Sequence, residues 1–301
     1  MAFSRTDEVR QLEPGLNATF GDEYNRYENE HLAFLDAETS EKAWEEDVLF
    51  PGFGEAVVKP EGEGVTYGNT EESWIARYNH ETIAFAFSVT EEAVEDNLYV
   101  AIAPKLAKFL ARGMASFKQT KASNILNRAF NSSYLGGDGV ELLGTHTQVD
   151  GVTFANEPGT AADLSETSLE SILVDIAGAT DERSIPANLR GMRLIVPRQL
   201  MFVADRILNS PGRVQTSDND LNAIKNGNYL PQGFVVNHRL TDSDAWFIKT
   251  DAPNGLKMFQ RKPIVTKFEG DFETGNLRYK SRERFSMGWS DWRGLFGSPG
   301  S

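Results

Sequence analysis

The 301-residue chain carries 44 acidic and 30 basic side chains, a formal net charge of −14 and no cysteine. An apolar fraction of 40 % supports a core and excludes global disorder. The missing thiols exclude disulfides, thiolate metal sites and a cysteine nucleophile, and fit a protein made in a reducing cytoplasm. No apolar run reaches membrane-spanning length, and the N-terminus MAFSRTDEVRQLEPG lacks the apolar core of a signal peptide. The chain shows no overall basic footprint of a specific nucleic-acid binder.

Residues 1–48 are acidic, with Glu28, Glu30, Glu38, Glu41, Glu45, Glu46 and Asp47, and with scattered anchors such as Leu16, Phe20, Phe34 and Leu35. The pattern predicts an arm with some helix and little core of its own. Residues 49–89 differ in kind. Pro51–Glu55 and Pro60–Gly64 are turn material, while Val57, Val58, Val65 and Tyr67 are strand formers. Thr82–Ser88 alternates with period two, placing Ile83, Phe85 and Phe87 on one side. This reads as a long two-stranded excursion. A lone ribbon is marginal in water, so a neighbouring subunit is its natural cover.

Thr90 has N-cap chemistry, followed by Glu91 and Glu92. Leu106, Leu110, Met114, Phe117, Ile125, Leu126 and Ala129 then recur at helical spacing. Pro104 predicts a break, giving a short helix to about Ala103 and a long one over 104–131. Leu135–Gly159 is glycine-rich and reads as a long functional or mobile loop, with His146 solvated in it. Ser165 caps a helix with a Leu164/Leu169 staple and a stop at Gly178. A strand at Arg193–Val196 leads to Pro197 at the first position of the next helix. Short strands follow at 233–237, 245–249, 256–260 and 264–268.

The last strand, Leu277–Trp289, places Leu277, Tyr279, Phe285, Met287 and Trp289 on one face. Arg278, Lys280, Arg282 and Arg284 lie on the other. Four cations in a row inside an acidic chain need partners. These are carboxylates of the same chain, carboxylates of a neighbour, or phosphate.

Catalytic sets are missing. His31, His80, His146 and His238 show no metal-ligand spacing. There is no GxSxG elbow and no phosphate-binding loop. Asp218–Asn222 starts like a calcium loop, but Ala223 and Tyr229 stand where glycine and glutamate are required. No enzyme activity, cofactor or metal is expected; a glycosidase has no support beyond plentiful carboxylates.

The order of acidic arm, ribbon, long helix, mixed α+β body and closing strand resembles the major capsid proteins of tailed bacteriophages, the Hong-Kong-97-type shell fold. The resemblance is carried by Ala162–Glu166, Leu194–Pro197, Phe202–Leu208, Asp218–Ile224, Val235–His238, Asp244–Phe247, Thr250–Pro253, Arg278–Lys280 and Gly288–Trp292, and runs over nearly the whole chain. It implies an N-terminal arm (1–48), an extended loop lapping over a neighbouring subunit (49–89) and a peripheral domain (90–189) with its spine helix at 104–131. An axial domain (190–262) and peripheral return strands (263–301) complete it.

The function implied is a head protein that closes into hexamers and pentamers and then into an icosahedral shell around double-stranded DNA, touched only weakly. It is implied to be a virion component assembled in the host cytoplasm. A portal protein and a separate scaffolding or decoration protein are the implied partners, with no membrane involved. An encapsulin-type bacterial shell has the same fold and is the alternative. On the shell reading, Lys59, Trp74, Arg77, Arg278, Lys280, Arg282 and Arg284 are the candidate inter-subunit contacts.

Overall fold

The computed structural model describes residues 5–70, 72–96, 99–212, 221–271 and 273–301. Helix α1 (Arg5–Arg26) leads through a 3-10 turn to strands β1 (Asp36–Thr39) and β2 (Trp44–Val48). Strands β3 (Ile75–Asn79) and β4 (Glu81–Val89) precede helices α2 (Glu91–Glu95) and α3 (Tyr99–Asn127). A small hairpin, β5 (Thr145–Thr147) and β6 (Thr153–Ala155), is followed by α4 (Glu166–Ala177) and β7 (Gly191–Pro197). Then come α5 (Met201–Asn209), α6 (Ala223–Asn226), β8 (Phe234–Asn237) and β9 (Trp246–Thr250). The long strands β10 (Leu256–Gly270) and β11 (Leu277–Trp289) precede a final strand, β12 (Leu295–Ser298). The class is α+β, as expected.

One sheet has the order β1-β10-β11-β4. Helix α3 lies across one of its faces, with α1 beside it. Ala103, Ala107 and Ala111 recur every four residues on α3 and let α1 approach closely. Leu16 and Phe20 pack there with Leu110 and Tyr279. The second sheet, β12-β9-β7-β8, carries α4 and α5 over a core that includes Leu169, Ile172, Leu194, Val196, Ala204, Trp246 and Phe296. A third cluster joins the two layers through Phe34, Leu35, Leu126, Leu142, Phe247, Met258 and Phe285.

Several expectations need correction. Pro104 does not break the long helix: α3 begins at Tyr99 and runs through it. Pro104 gives up the backbone bond to Val100 and sets its ring against that carbonyl, and Ala103 and Ala107, buried on either side of it, supply packing that offsets the cost. Thr90 does cap α2, its hydroxyl accepting from Ala93 N at 3.4 Å. The helix stops at Asn127 and not at Asn131.

The arm's anchors do pack on another surface, as read: Leu16 and Phe20 lie against Leu110 and Tyr279, and Phe34 and Leu35 lie in the cluster with Leu126, Phe247 and Phe285. The stretches 256–260 and 264–268 form a single strand, β10, with irregular register at Gln260–Val265. Pro197 ends β7 and precedes a 3-10 turn, so α5 starts only at Met201. Around α4 the reading holds: the Ser165 hydroxyl accepts from Ser168 N at 3.1 Å, and Leu164 and Leu169 are both buried. The expectations placed on Asp218–Asp220 lie outside the described residues.

Candidate assembly surfaces

The ribbon is shorter than its sequence suggests. β2 and β3 pair antiparallel from Trp44↔Asn79 to Val48↔Ile75, and backbone bonds between Leu49 and the Ser73–Trp74 segment add one more step. Residues 50–70 form no strand, only a turn closed by Glu63 N donating to Pro60 O at 3.3 Å. The strand formers Val57, Val58, Val65 and Tyr67 stand in solvent, Val58 at 93 % and Tyr67 at 91 % exposure. A strand needs a partner for its backbone, and these residues have none among the described residues. Thr82–Ser88 belongs to β4 and pairs with β11, outside the ribbon.

The ribbon's root is firmly tied. The Tyr78 hydroxyl meets Ser290 Oγ at 2.5 Å, Ser290 Oγ donates to Asp47 at 2.6 Å, and Lys257 Nζ lies 2.9 Å from Asp47. Trp74 is half-buried at this root, packed with Ala76, Tyr78 and Phe259. A Cβ on Gly137 would lie 2.5 Å from the Trp74 ring, so that approach requires glycine. Arg77 is committed within the chain, 3.6 Å from Glu46 and stacked over the Trp44 ring at 4.4 Å. Lys59 sits in the uncovered segment and makes no ion pair among the described residues.

On β11 the predicted two faces are present. Arg278, Lys280 and Arg282 are exposed, Arg284 is half-buried, and Tyr279, Ser281, Glu283 and Phe285 are buried on the reverse. Arg278 bonds Asp271 at 2.5 Å. Lys280, Arg282 and Arg284 have no ion pair among the described residues. Register adds cations: Lys267 lies opposite Lys280 and Lys262 opposite Arg284. Like charges directly across a sheet are destabilising. The buried Nε atoms of Arg261 and Arg284 also lack a hydrogen-bond partner among the described residues. Beneath them, His80 is held between Ser40 and Ser286, at 3.0 and 2.9 Å. Burial, followed by Arg284, pushes its pKa below the usual imidazole value. Lys262 and Lys267 were not legible in sequence because the irregular register in β10 breaks the alternation.

The reverse face holds a buried charge that the sequence reading missed. Glu283 is 0 % exposed and lies 3.3 Å from Lys118 Nζ of α3. Tyr24 of α1 donates to the same oxygen at 3.4 Å, so the carboxylate ties arm, helix and strand together. Burial raises the Glu283 pKa and Lys118 opposes the rise. The signal was phase: Glu283 alternates with Tyr279 and Phe285, and Lys118 follows Ala107, Ala111 and Met114 on the buried side of α3.

The loop 135–159 carries the hairpin β5–β6, and His146 within it is not solvated. It is 1 % exposed, stacked on Trp292 at 4.5 Å and bonded to Asp138 Oδ2 at 2.5 Å. The adjacent Arg293 pairs with buried Glu182 at 2.8 Å. Trp292 lies 146 positions from His146, too far for the sequence to show the stack. A furrow of 510 Å³ runs between α3 and the ends of β4 and β11, lined by Phe117, Ile125, Leu135, Met287 and Trp289. Among the described residues no cluster of side chains is arranged to hold a metal.

A protein-family model for "Phage capsid protein" matches residues 75–297. No curated protein matches the chain. Among solved structures, a virus-like particle from Pyrococcus furiosus aligns with a TM-score of 0.53 at 12 % identity, covering 94 % of this chain and 97 % of that one. The procapsid of bacteriophage JBD30 aligns with a TM-score of 0.53 at 14 % identity, over 97 % of this chain and 75 % of that one. Mycobacterium phage Che8 aligns with a TM-score of 0.53 at 12 % identity, over 90 % and 92 %. At such identities the structures show a shared fold, while the family model covers most of the sequence. The chain belongs to the phage capsid protein family.

Proposed function

We propose that this major capsid protein closes into hexamers and pentamers, and then into the icosahedral shell that encloses the double-stranded DNA of a tailed bacteriophage. One observation carries the reading: residues 50–70 hold apolar side chains in solvent that the described residues of their own chain leave uncovered. Assembly is the means to cover them, and stable interfaces bury about 1,600 Å² in total.

In this reading 1–48 is the arm, 50–70 the lapping segment, α3 the spine, and 190–262 the axial region. Copies that each carry −14 must lie side by side. Screening over about 8 Å helps only in part, so Lys280, Arg282 and Arg284, with Lys59 and Trp74, serve as complementary contacts. Arg77 and Arg278 are already paired and contribute by holding local shape. Portal and scaffolding or decoration proteins, weak contact with DNA, and assembly in the host cytoplasm belong to the same reading.

A second reading is an encapsulin-type shell around a protein cargo; the likeness to the Pyrococcus furiosus virus-like particle favours it. Negative-stain electron microscopy of the expressed chain tests both. Closed particles are expected, and their contents, DNA or protein, separate the two. A monodisperse monomer at high concentration overturns both.

A further inference from the structure

Strand β4 is an edge strand: among the described residues β11 alone pairs with it in its sheet. Its nine residues make an uninterrupted register with β11, from Val89↔Leu277 to Glu81↔Phe285. At about 3.3 Å per residue this is a straight edge of roughly 30 Å. Edges of this kind are normally protected by proline, a bulge or charge. Between Thr82 and Val89 there is neither proline nor a charged residue.

The sequence of this edge is a near-palindrome. Around Phe85 lie Ala84 and Ala86, then Ile83 and Phe87, then Thr82 and Ser88. An antiparallel two-fold axis at Phe85 therefore sets like against like. Phe85 meets Phe85, and Ile83 meets Phe87, on the α3 face. Ala84 meets Ala86, and Thr82 meets Ser88, on the cationic face. Aromatic and β-branched cross-strand pairs of this kind are the stabilising ones.

The surroundings fit such a seam. Phe85 is 56 % exposed, and α3 presents Phe109 and Phe117, also exposed, on the flank beside it. A Cβ on Gly113 would lie 3.4 Å from the Phe85 ring, ordinary contact distance, so the ring lies against this point of α3. The alanines keep the other face low. The rows formed by Lys280, Arg282 and Arg284 in two such copies would lie three strand spacings apart, about 14 Å. That exceeds the screening length of about 8 Å.

We infer that β4 is a self-complementary docking edge that pairs with β4 of a second copy about a two-fold axis at Phe85, joining the two sheets into one. The inference rests on the self-assembly reading and adds to it a surface and a symmetry; a two-fold interface must contact itself in this way.

The absence of cysteine makes the test clean. Facing residues of an antiparallel pair lie about 4.5–5.5 Å apart between Cα atoms, within disulfide reach. The full-length Phe85→Cys chain, oxidised and run without reductant, is expected to yield a covalent dimer as the main species. Thr82→Cys and Ser88→Cys alone should stay monomeric on the gel, whereas the Thr82→Cys/Ser88→Cys double variant should crosslink.

Circular dichroism and electron microscopy of the same samples report folding and particle formation. Particles without a Phe85→Cys dimer overturn the edge pairing and leave the shell reading standing. A dimer without particles does the reverse. Equal crosslinking by all three single variants overturns the register and with it the proposal.

Discussion

Lys118 on α3 and Glu283 on β11 form an ion pair 165 residues apart in sequence, buried under α1 and joined by the Tyr24 hydroxyl. A buried pair contributes little net stability, but losing one partner strands the other charge. Glu283→Gln or Lys118→Met alone is expected to cost about 3–5 kcal/mol. The Lys118→Met/Glu283→Leu double variant is expected to recover most of that loss. Urea unfolding of the three variants checks it; additive losses in the double variant would contradict the pairing.

His31 lies buried beside Gln119 and is held neutral, burial pushing its pKa down to about 4. Its unfolded value is near 6.5. The unfolded chain therefore binds a proton between those values that the folded chain does not, and stability falls as pH drops from about 6.5 to about 4. A His31→Gln variant should lose much of that dependence. Thermal denaturation from pH 4 to 7 measures it, and identical profiles for the two chains would refute the assignment.

Arg282 and Arg284 have no ion pair within the described residues and are joined by Lys262 and Lys267 on the same sheet face. Replacing Arg282 and Arg284 by glutamate should leave a soluble, folded chain, because Arg282 is exposed, Arg284 is only half-buried, and neither has an ion pair among the described residues to lose. It should, however, abolish particle formation. Circular dichroism and electron microscopy read the two effects, and normal particles would dismiss these arginines as contacts.

His146 and Trp292 stack at 4.5 Å with nearly parallel rings, both fully buried. Trp292→Ala should cost about 3–5 kcal/mol by opening a cavity. His146→Phe keeps the ring but strands Asp138, at about 1–3 kcal/mol. Guanidinium melts check both, and a loss in His146→Phe as large as in Trp292→Ala would show that the Asp138 bond outweighs the stack.

The two faces of β11, the start of α4 and the capped entry to α2 were legible in sequence because neighbours along the chain decide them. The candidate contacts were legible only in part. Arg278 and Arg77 look like their neighbours in sequence, yet each has an ion-pair partner in the fold. Lys262 and Lys267 join the cationic face only through the irregular register of β10.

Composition and local pattern alone determined an α+β chain without cysteine, a cationic strand in an acidic protein, and the order of segments that marks the capsid family. The tertiary structure decided the rest. It carried α3 through Pro104, left Val57 to Tyr67 without a strand, buried His146, and brought Lys118 to Glu283. The physical reason is common to all four. A strand needs a second backbone, a buried charge needs a counter-charge and a helix defect needs packing to offset it, and each of these comes from residues far along the chain.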